Sequence, residues 1–465
     1  MGFFLSVVYL VTDYLTPAVL FGPLAQVHIE IVLAVLILVV SIPRMTRSFV
    51  FRTPQALALA GLSVAVFLSV LIALRWAGGA VSAFLGLIPS IYAYFFVCLH
   101  CNSRKKLQVL VIMLLFVCLF VIVNGAMDLR HFTPGGGASG AESSGSFSYS
   151  FWEFQHPYLF PMKDDAGVWF YRIRGLGEIH DPNDFGQILV CEIPLLFIFW
   201  RRKKRIRNFV FVIVPACVLL YGIYLTHSRG ALVALVVVIL VAARRRIGTI
   251  PAAVIAVGLF AAAMALHFTG GRAISIDAGV DRTELWAEGL EMVKANPLFG
   301  VGFGRFGDHA INTAHNSVVV CAAELGLFGF YFWSLFLFAT GRNAFLIASP
   351  EKVAEAKSTE IGDDQNLFKA WKGPALEKSE TNHLGYCLFL SLAGFLAAGW
   401  FLSRAFVMTF FLLGGMVEVI YETARGKGMV APRLPLSRNL SYSLLFSISL
   451  LVSVYLSLRV MNLTR

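Results

Sequence analysis

The sequence predicts an all-α integral membrane protein, a polytopic bundle of about 12 to 13 transmembrane helices with two large loops on the outer side. Three observations predict it. Hydrophobic residues make up 58% of the 465-residue chain, with 41 Phe and only 14% charged residues. With a mean hydropathy of +0.75, that is more apolar surface than one soluble core can cover. Apolar runs of about 17 to 25 residues, enough to cross a hydrocarbon layer ~30 Å thick, recur along nearly the whole chain. Basic clusters then fall in every second loop, the pattern of cytoplasmic loops under the positive-inside bias.

Taken in order, the first run, 3–22, follows Met1-Gly2-Phe3 without a basic leader or a small-residue cleavage site, so it is expected to stay as a helix. Run 26–42 leads into Arg44, Arg47 and Arg52, runs 56–74 and 82–101 follow, and 107–126 begins after Arg104-Lys105-Lys106. Runs 183–200 and 208–225 flank Arg201-Arg202-Lys203-Lys204-Arg205 and Arg207, and runs 230–243 and 249–267 flank Arg244-Arg245-Arg246. Run 316–341 is followed by 384–402 and 405–421, separated from each other at Ser403-Arg404, and by 439–460. Five regions result: N-terminal spans 1–126, a first outer loop 127–182, a core 183–342 that includes the second outer loop 268–314, a charged cytoplasmic connector 343–382, and C-terminal spans 383–465.

The formal charge of +11 follows from this topology, because the Arg201 to Arg207 run reads as a solvated cytoplasmic face and not as a nucleic-acid surface. In contrast, loop 268–314 carries Arg272, Arg282, Lys294 and Arg305 against Asp277, Asp281, Glu284, Glu288, Glu291 and Asp308. The 7 Cys lie in or beside apolar runs, which argues against a disulfide framework. Cys98-Leu99-His100-Cys101 has redox spacing but no second ligand pair, and reads as helix wall.

Between the spans, residues 133–150 are rich in Gly and Ser and read as a flexible part of the first outer loop. Residues 281–296 place Leu285, Trp286, Leu290 and Val293 at helical spacing among acids, predicting an amphipathic helix. Gly302-Phe303-Gly304-Arg305-Phe306-Gly307 fits a dinucleotide-binding pattern, yet no buried strand precedes it; tight turning of the loop explains its glycines better. Glu178, His180, Asp181 and Asp184 offer divalent-ion ligands, but Asp181-Pro182 also starts a helix well, and capping is the preferred reading.

His315-Asn316-Ser317 sets a proton-transfer group at the mouth of a span, and Arg229 and Arg282 are predicted on the same side. Arg guanidinium gives planar, bidentate donors to phosphate oxygens, so Arg229 and Arg282 suit an anionic leaving group. A neutral imidazole at His315 suits deprotonation of an attacking hydroxyl, and two nearby cations disfavour its charged form. Asn316 and Ser317 are candidates to orient the ring or bind substrate, with Arg305 as a further substrate-binding candidate. Gly326 and Gly329 fall on one helix face, where small residues permit close packing.

Together these segments resemble the bacterial O-antigen ligase and polymerase superfamily. His315-Asn316, nine residues and Gly326-x-x-Gly329 match its signature, and Ser228-Arg229-Gly230 resembles its Ser-Arg-Gly segment. Arg282 through Trp286, with Asn296-Pro297-Leu298-Phe299-Gly300-Val301-Gly302, resembles its periplasmic-loop segment. The resemblance implies a multi-pass enzyme of the bacterial inner membrane with its active site facing the periplasm. It would move a glycan from undecaprenyl pyrophosphate to a lipid A-core, sugar or other surface acceptor, inverting the anomeric carbon without metal or cofactor. The same core occurs in repeat-unit polymerases and in ligases that glycosylate proteins, so these remain alternatives. A polysaccharide transporter or flippase would account for the spans but needs cationic sites open to both faces.

Overall fold

The computed structural model describes residues 1–20, 29–45, 48–131, 156–163, 169–265, 268, 276–349, 371 and 376–463. The predicted flexible segment 133–150, the turn at 21–28 and nearly all of the charged connector between 350 and 375 lie outside the described residues.

Helices α1 (Gly2–Leu15), α2 (Ile29–Met45), α3 (Pro54–Leu74), α4 (Ala77–His100) and α5 (Arg104–His131) form the N-terminal part. Two short strands, β1 (Leu159–Lys163) and β2 (Trp169–Ile173), precede α6 (Pro182–Leu196), α7 (Val214–Thr226), α8 (Arg229–Ile247) and α9 (Thr249–Ala265). Then come α10 (Ile276–Ala295), α11 (Ser317–Ala348), α12 (Lys378–Gly399), α13 (Met408–Arg425) and α14 (Leu436–Leu463). The expected all-helical membrane fold holds. Among the described residues 8 helices are long and apolar enough to cross a membrane, and α1 and α9 are shorter apolar helices. Two runs expected as ordinary spans are more charged than the rest: α8 carries arginines at both ends, and α13 carries Glu418, Glu422 and Arg425.

Successive helices alternate between two ends of the bundle. Helix α8 runs from Arg229 at one end to Arg244-Arg245-Arg246 at the other, where Arg245 Nη1 donates to Ala348 O at the end of α11 at 3.3 Å. Helix α11 therefore begins, just after His315, at the same end as Arg229. Helix α12 returns from Lys378 to Gly399 and α13 goes back to Arg425, placing the α12–α13 loop at the His315 end.

The centre of the bundle is aromatic. Phe395 of α12 stacks on Phe410 of α13 at 5.2 Å, and Phe336 of α11 meets Phe410 edge-on at 5.0 Å. Lipid tails are as apolar as side chains, so helices associate through such close contacts, each aromatic pair contributing about 0.5–1.5 kcal/mol. This packing holds α11, α12 and α13 as a rigid support beneath the loops.

The antiparallel hairpin β1–β2, with Leu159 opposite Ile173, was not anticipated within the first outer loop. It sits against α5, because Gly125 leaves room for Ile173: a Cβ there would meet its Cγ2 at 3.0 Å. Cys98 and Cys101 are buried free thiols, and His100 between them bonds Ser41 and Arg44, in keeping with a helix-wall role.

Candidate active site

Four segments meet at the His315 end. The first is the start of α6, where Asp181 caps the helix: its Oδ1 accepts the Asn183 N–H at 2.7 Å, and Pro182 occupies the first turn, where a missing N–H is harmless. This bears out capping for Asp181. Asn183 Oδ1 in turn accepts from Arg172 Nη2 at 2.8 Å, while Arg172 Nε donates to Thr226 O at 2.7 Å. Arg172 on β2 is 3% exposed, so a buried guanidinium joins the hairpin, α6 and the end of α7.

The second segment is the α7–α8 junction. His227 takes a left-handed conformation (φ 47°) that ends α7, and Ser228 Oγ accepts the Ala231 N–H at 3.3 Å to start α8. Arg229 is thus the first residue of α8. Gly186 of α6 permits the approach of this junction, since a Cβ there would lie 2.8 Å from Ala231 Cβ and 3.3 Å from Ser228 Cβ.

Helix α10 and the loop after it form the third segment. The amphipathic helix expected at 281–296 is present within α10, and Trp286 Nε1–H donates to Ala314 O at 2.8 Å, fastening α10 beside His315. His315 itself has φ 48°, a left-handed turn that is unusual for a side-chain-bearing residue. Asn316 then caps α11, its Oδ1 accepting from Val318 and Val319 N–H at 2.9 and 3.1 Å.

The same loop docks on a break in α11. Gly326 has φ 61° and ψ −171°, which interrupts the helix and turns its backbone toward residues 297–302. Leu327 N–H donates to Pro297 O at 2.8 Å, Val301 N–H to Ala323 O at 2.9 Å and Gly302 N–H to Glu324 O at 3.1 Å. The Glu324 carboxylate accepts the N–H groups of Gly304 at 2.9 Å and Phe306 at 3.3 Å. Gly326 was expected to share a packing face with Gly329; instead it makes the break, and a Cβ there would sit 2.5 Å from Leu298 C and O. Gly329 does serve close packing, with α3 across from it: a Cβ would meet Ala65 Cβ at 3.1 Å.

The fourth segment, residues 400–404 between α12 and α13, touches the others. Asn316 Nδ2 donates to Trp400 O at 3.1 Å, Ser317 Oγ donates to Leu402 O at 2.7 Å, and the Arg404 N–H donates to Ser317 Oγ at 3.0 Å. Asn316 and Ser317 are therefore occupied in helix capping and loop tethering. The Arg282 guanidinium lies over the Phe401 ring at 6.0 Å, Trp400 meets Trp286 edge-on at 5.9 Å, and Arg404 pairs with Asp184.

Electrostatics bring Arg229, Arg282 and His315 into one field. Burial, and then the charge of Arg229, press the Arg282 guanidinium downward from its ordinary value. Burial, and then Arg282, hold the His315 imidazole below the usual histidine range, while the Asp181 carboxylate opposes them. At neutral pH that favours a neutral imidazole beside the Arg282 cation, suited to accept a proton near a bound anion. Arg305 stands in an exposed ion pair with Asp308 at 3.1 Å. Of the four candidate ion ligands, Asp181 caps α6, Asp184 is held by Arg404, His180 is exposed with Nδ1 3.0 Å from Gly177 O, and the Glu178 side chain is outside the described residues.

Residues 214–334, from the start of α7 into α11, match the family model for O-antigen ligase, which supports the O-antigen ligase superfamily for this chain. No curated protein matches it. The matched segment contains Arg229, Arg282, His315 and the Gly326 break. Arg172, Asp184 and Arg404 fall outside it; Asp184 stood in the sequence only as a candidate ion ligand, and nothing in the sequence singled out Arg172 or Arg404 for the site. Glu324 carried a usable signal, an acid inside an apolar run, which is costly unless it is bonded.

Proposed function

We propose that the chain is a glycan ligase of the bacterial inner membrane, using a periplasmic site to move a glycan from undecaprenyl pyrophosphate to an acceptor hydroxyl. The observation that carries this reading is the junction of a half-buried imidazole at His315, held below the usual histidine range, with the neighbouring cations Arg282 and Arg229. In the proposed step the acceptor oxygen attacks the anomeric carbon from the face opposite the diphosphate. Its proton passes to the His315 imidazole, the bond from anomeric carbon to phosphate oxygen breaks, and undecaprenyl pyrophosphate departs with the electron pair. Arg229 and Arg282 receive the charge that grows on the leaving oxygen, where preformed guanidinium donors act most strongly. Displacement from the opposite face inverts the anomeric centre, and the two arginines take the part that a metal ion plays in other diphosphate chemistry.

A lipid A-core acceptor makes the protein an O-antigen ligase, whereas a second lipid-linked repeat makes it a polymerase. Glycans from a deletion strain test the reading: loss of a ligase leaves long polymer on the carrier lipid, and loss of a polymerase leaves single repeats. Unchanged surface glycan and unchanged carrier-linked intermediates would overturn both.

A further inference from the structure

Segment 400–404 lies outside the matched residues, yet its backbone or side chains contact the neighbours of each candidate catalytic group. Trp400 O and Leu402 O accept from Asn316 and Ser317, which follow His315 directly. Phe401 lies beneath Arg282, and a Cβ on Gly230, next to Arg229, would lie 3.5 Å from Phe401 Cβ. This five-residue stretch ends at Arg404, whose guanidinium reaches across to Asp184 on α6. Asp184 is 5% exposed, and its neighbour Asn183 holds Arg172, so the pair ties the loop to the most closely bonded part of the site. A partly buried, charge-assisted contact of this kind fixes geometry more firmly than an exposed ion pair does.

We propose that Arg404 and Asp184 form a clasp that positions His315 and Arg282, making Arg404 a positioning residue for glycan transfer. The clasp acts at two points. Through Ser317 and Asn316 it fixes the left-handed turn that presents His315, and through Phe401 it sets the height of Arg282. This assignment rests on the transferase reading of the site, and the experiment separates the two.

Purified full-length protein in nanodiscs is assayed with an undecaprenyl-pyrophosphate-linked glycan, and in parallel the modification of His315 by diethyl pyrocarbonate is followed by peptide mass spectrometry. Arg404→Gln and Asp184→Asn should each lower turnover at saturating donor about 10-fold or more, the loss expected when reacting groups are misplaced by about 1 Å. Both should also change the His315 modification rate several-fold, and both should shift the acidic limb of the turnover profile. Arg404→Lys should stay near wild type in all three readouts, and the exchange Asp184→Arg with Arg404→Asp should recover part of the turnover. A merely stabilising ion pair would lower the yield of folded protein without altering His315 reactivity. Wild-type turnover and unaltered His315 modification in both single variants would overturn the clasp. Loss in Arg404→Gln combined with normal turnover in Asp184→Asn would also overturn it, because Arg404 would then act on substrate and not through its partner. If wild type transfers no glycan while His315 reactivity still follows the clasp, the transferase reading fails and the positioning role stands.

Discussion

The two ends of the bundle differ in how their cations are arranged. At the basic end, Glu418 of α13 is 0% exposed and accepts Arg433 Nη2 at 2.5 Å, Gln55 Nε2 at 2.8 Å and Asn343 Nδ2 at 2.8 Å. Glu422 adds contacts to Arg433 at 2.7 Å and Arg425 at 2.9 Å. Each acid is answered by a cation or an amide, and the result is a clasp joining α3, α11, α13 and the residues before α14. At the His315 end the cations Arg229 and Arg282 lie close enough for one to depress the other, and Arg282 in turn acts on His315, with the Asp181 carboxylate opposing it. Acids held by cations and amides specify packing, whereas two neighbouring guanidinium groups beside an imidazole raise the local positive potential that an anion would meet. Similar residue types thus serve structure at one end and, under the proposed function, chemistry at the other.

Substitutions at the two ends should separate these roles. His315→Ala should lower glycan transfer on the order of 100- to 10,000-fold, the usual contribution of a positioned base, while binding of the lipid-pyrophosphate donor stays within experimental error of wild type. Transfer at the wild-type rate would remove His315 from the mechanism. Glu418→Ala should do the reverse: leaving Arg433, Gln55 and Asn343 with a lost partner should cost about 3–5 kcal/mol of stability, read as an earlier thermal transition in detergent. Transfer per folded molecule should be unchanged, and a large loss there would show that the two ends are coupled.

Arg282→Lys keeps the charge but loses the planar fork, so donor use should fall about 10- to 1000-fold, equivalent to ~1.4 to 4 kcal/mol of charge-assisted contact. Retained donor use in the lysine variant would show that charge alone suffices.

The smallest effect concerns pH. Because the folded environment lowers the His315 value, the base is already neutral at pH 7, and transfer should fall only as pH drops below the ordinary histidine range. Asp181 pulls that value upward, so Asp181→Asn should move the acidic limb to lower pH, and a limb moved upward would contradict the coupling. Turnover measured across acidic pH in wild type and variant decides it.

Much of this was legible in the sequence because it depends on local pattern. Apolar length marked the spans, and alternating Arg clusters marked the two ends. The Asp181-Pro182 pair announced the start of α6, and the amphipathic spacing around Trp286 announced α10. His315, Arg229 and Arg282 stood out as a combination, one base with two fixed cations, lying in segments that resemble one family's signature. What local pattern could not convey was the bonding state of those neighbours: Asn316 and Ser317, candidates to orient the ring, are occupied as a helix cap and a loop tether.

The sequence by itself therefore determined the helical membrane class, the alternation of the two ends and the candidate residues for chemistry, since each follows from periodicity, charge and motif over short stretches. Only the tertiary structure decided that Gly326 breaks α11 to receive residues 297–302, that Glu324 holds the glycine-rich loop, and that segment 400–404 closes the site. The physical reason is distance along the chain: Asn316 meets Trp400 across 84 residues, and Arg404 meets Asp184 across 220. No local preference encodes such partners, because a carboxylate, an amide or a glycine kink acquires its role only when packing brings the matching group within hydrogen-bond reach.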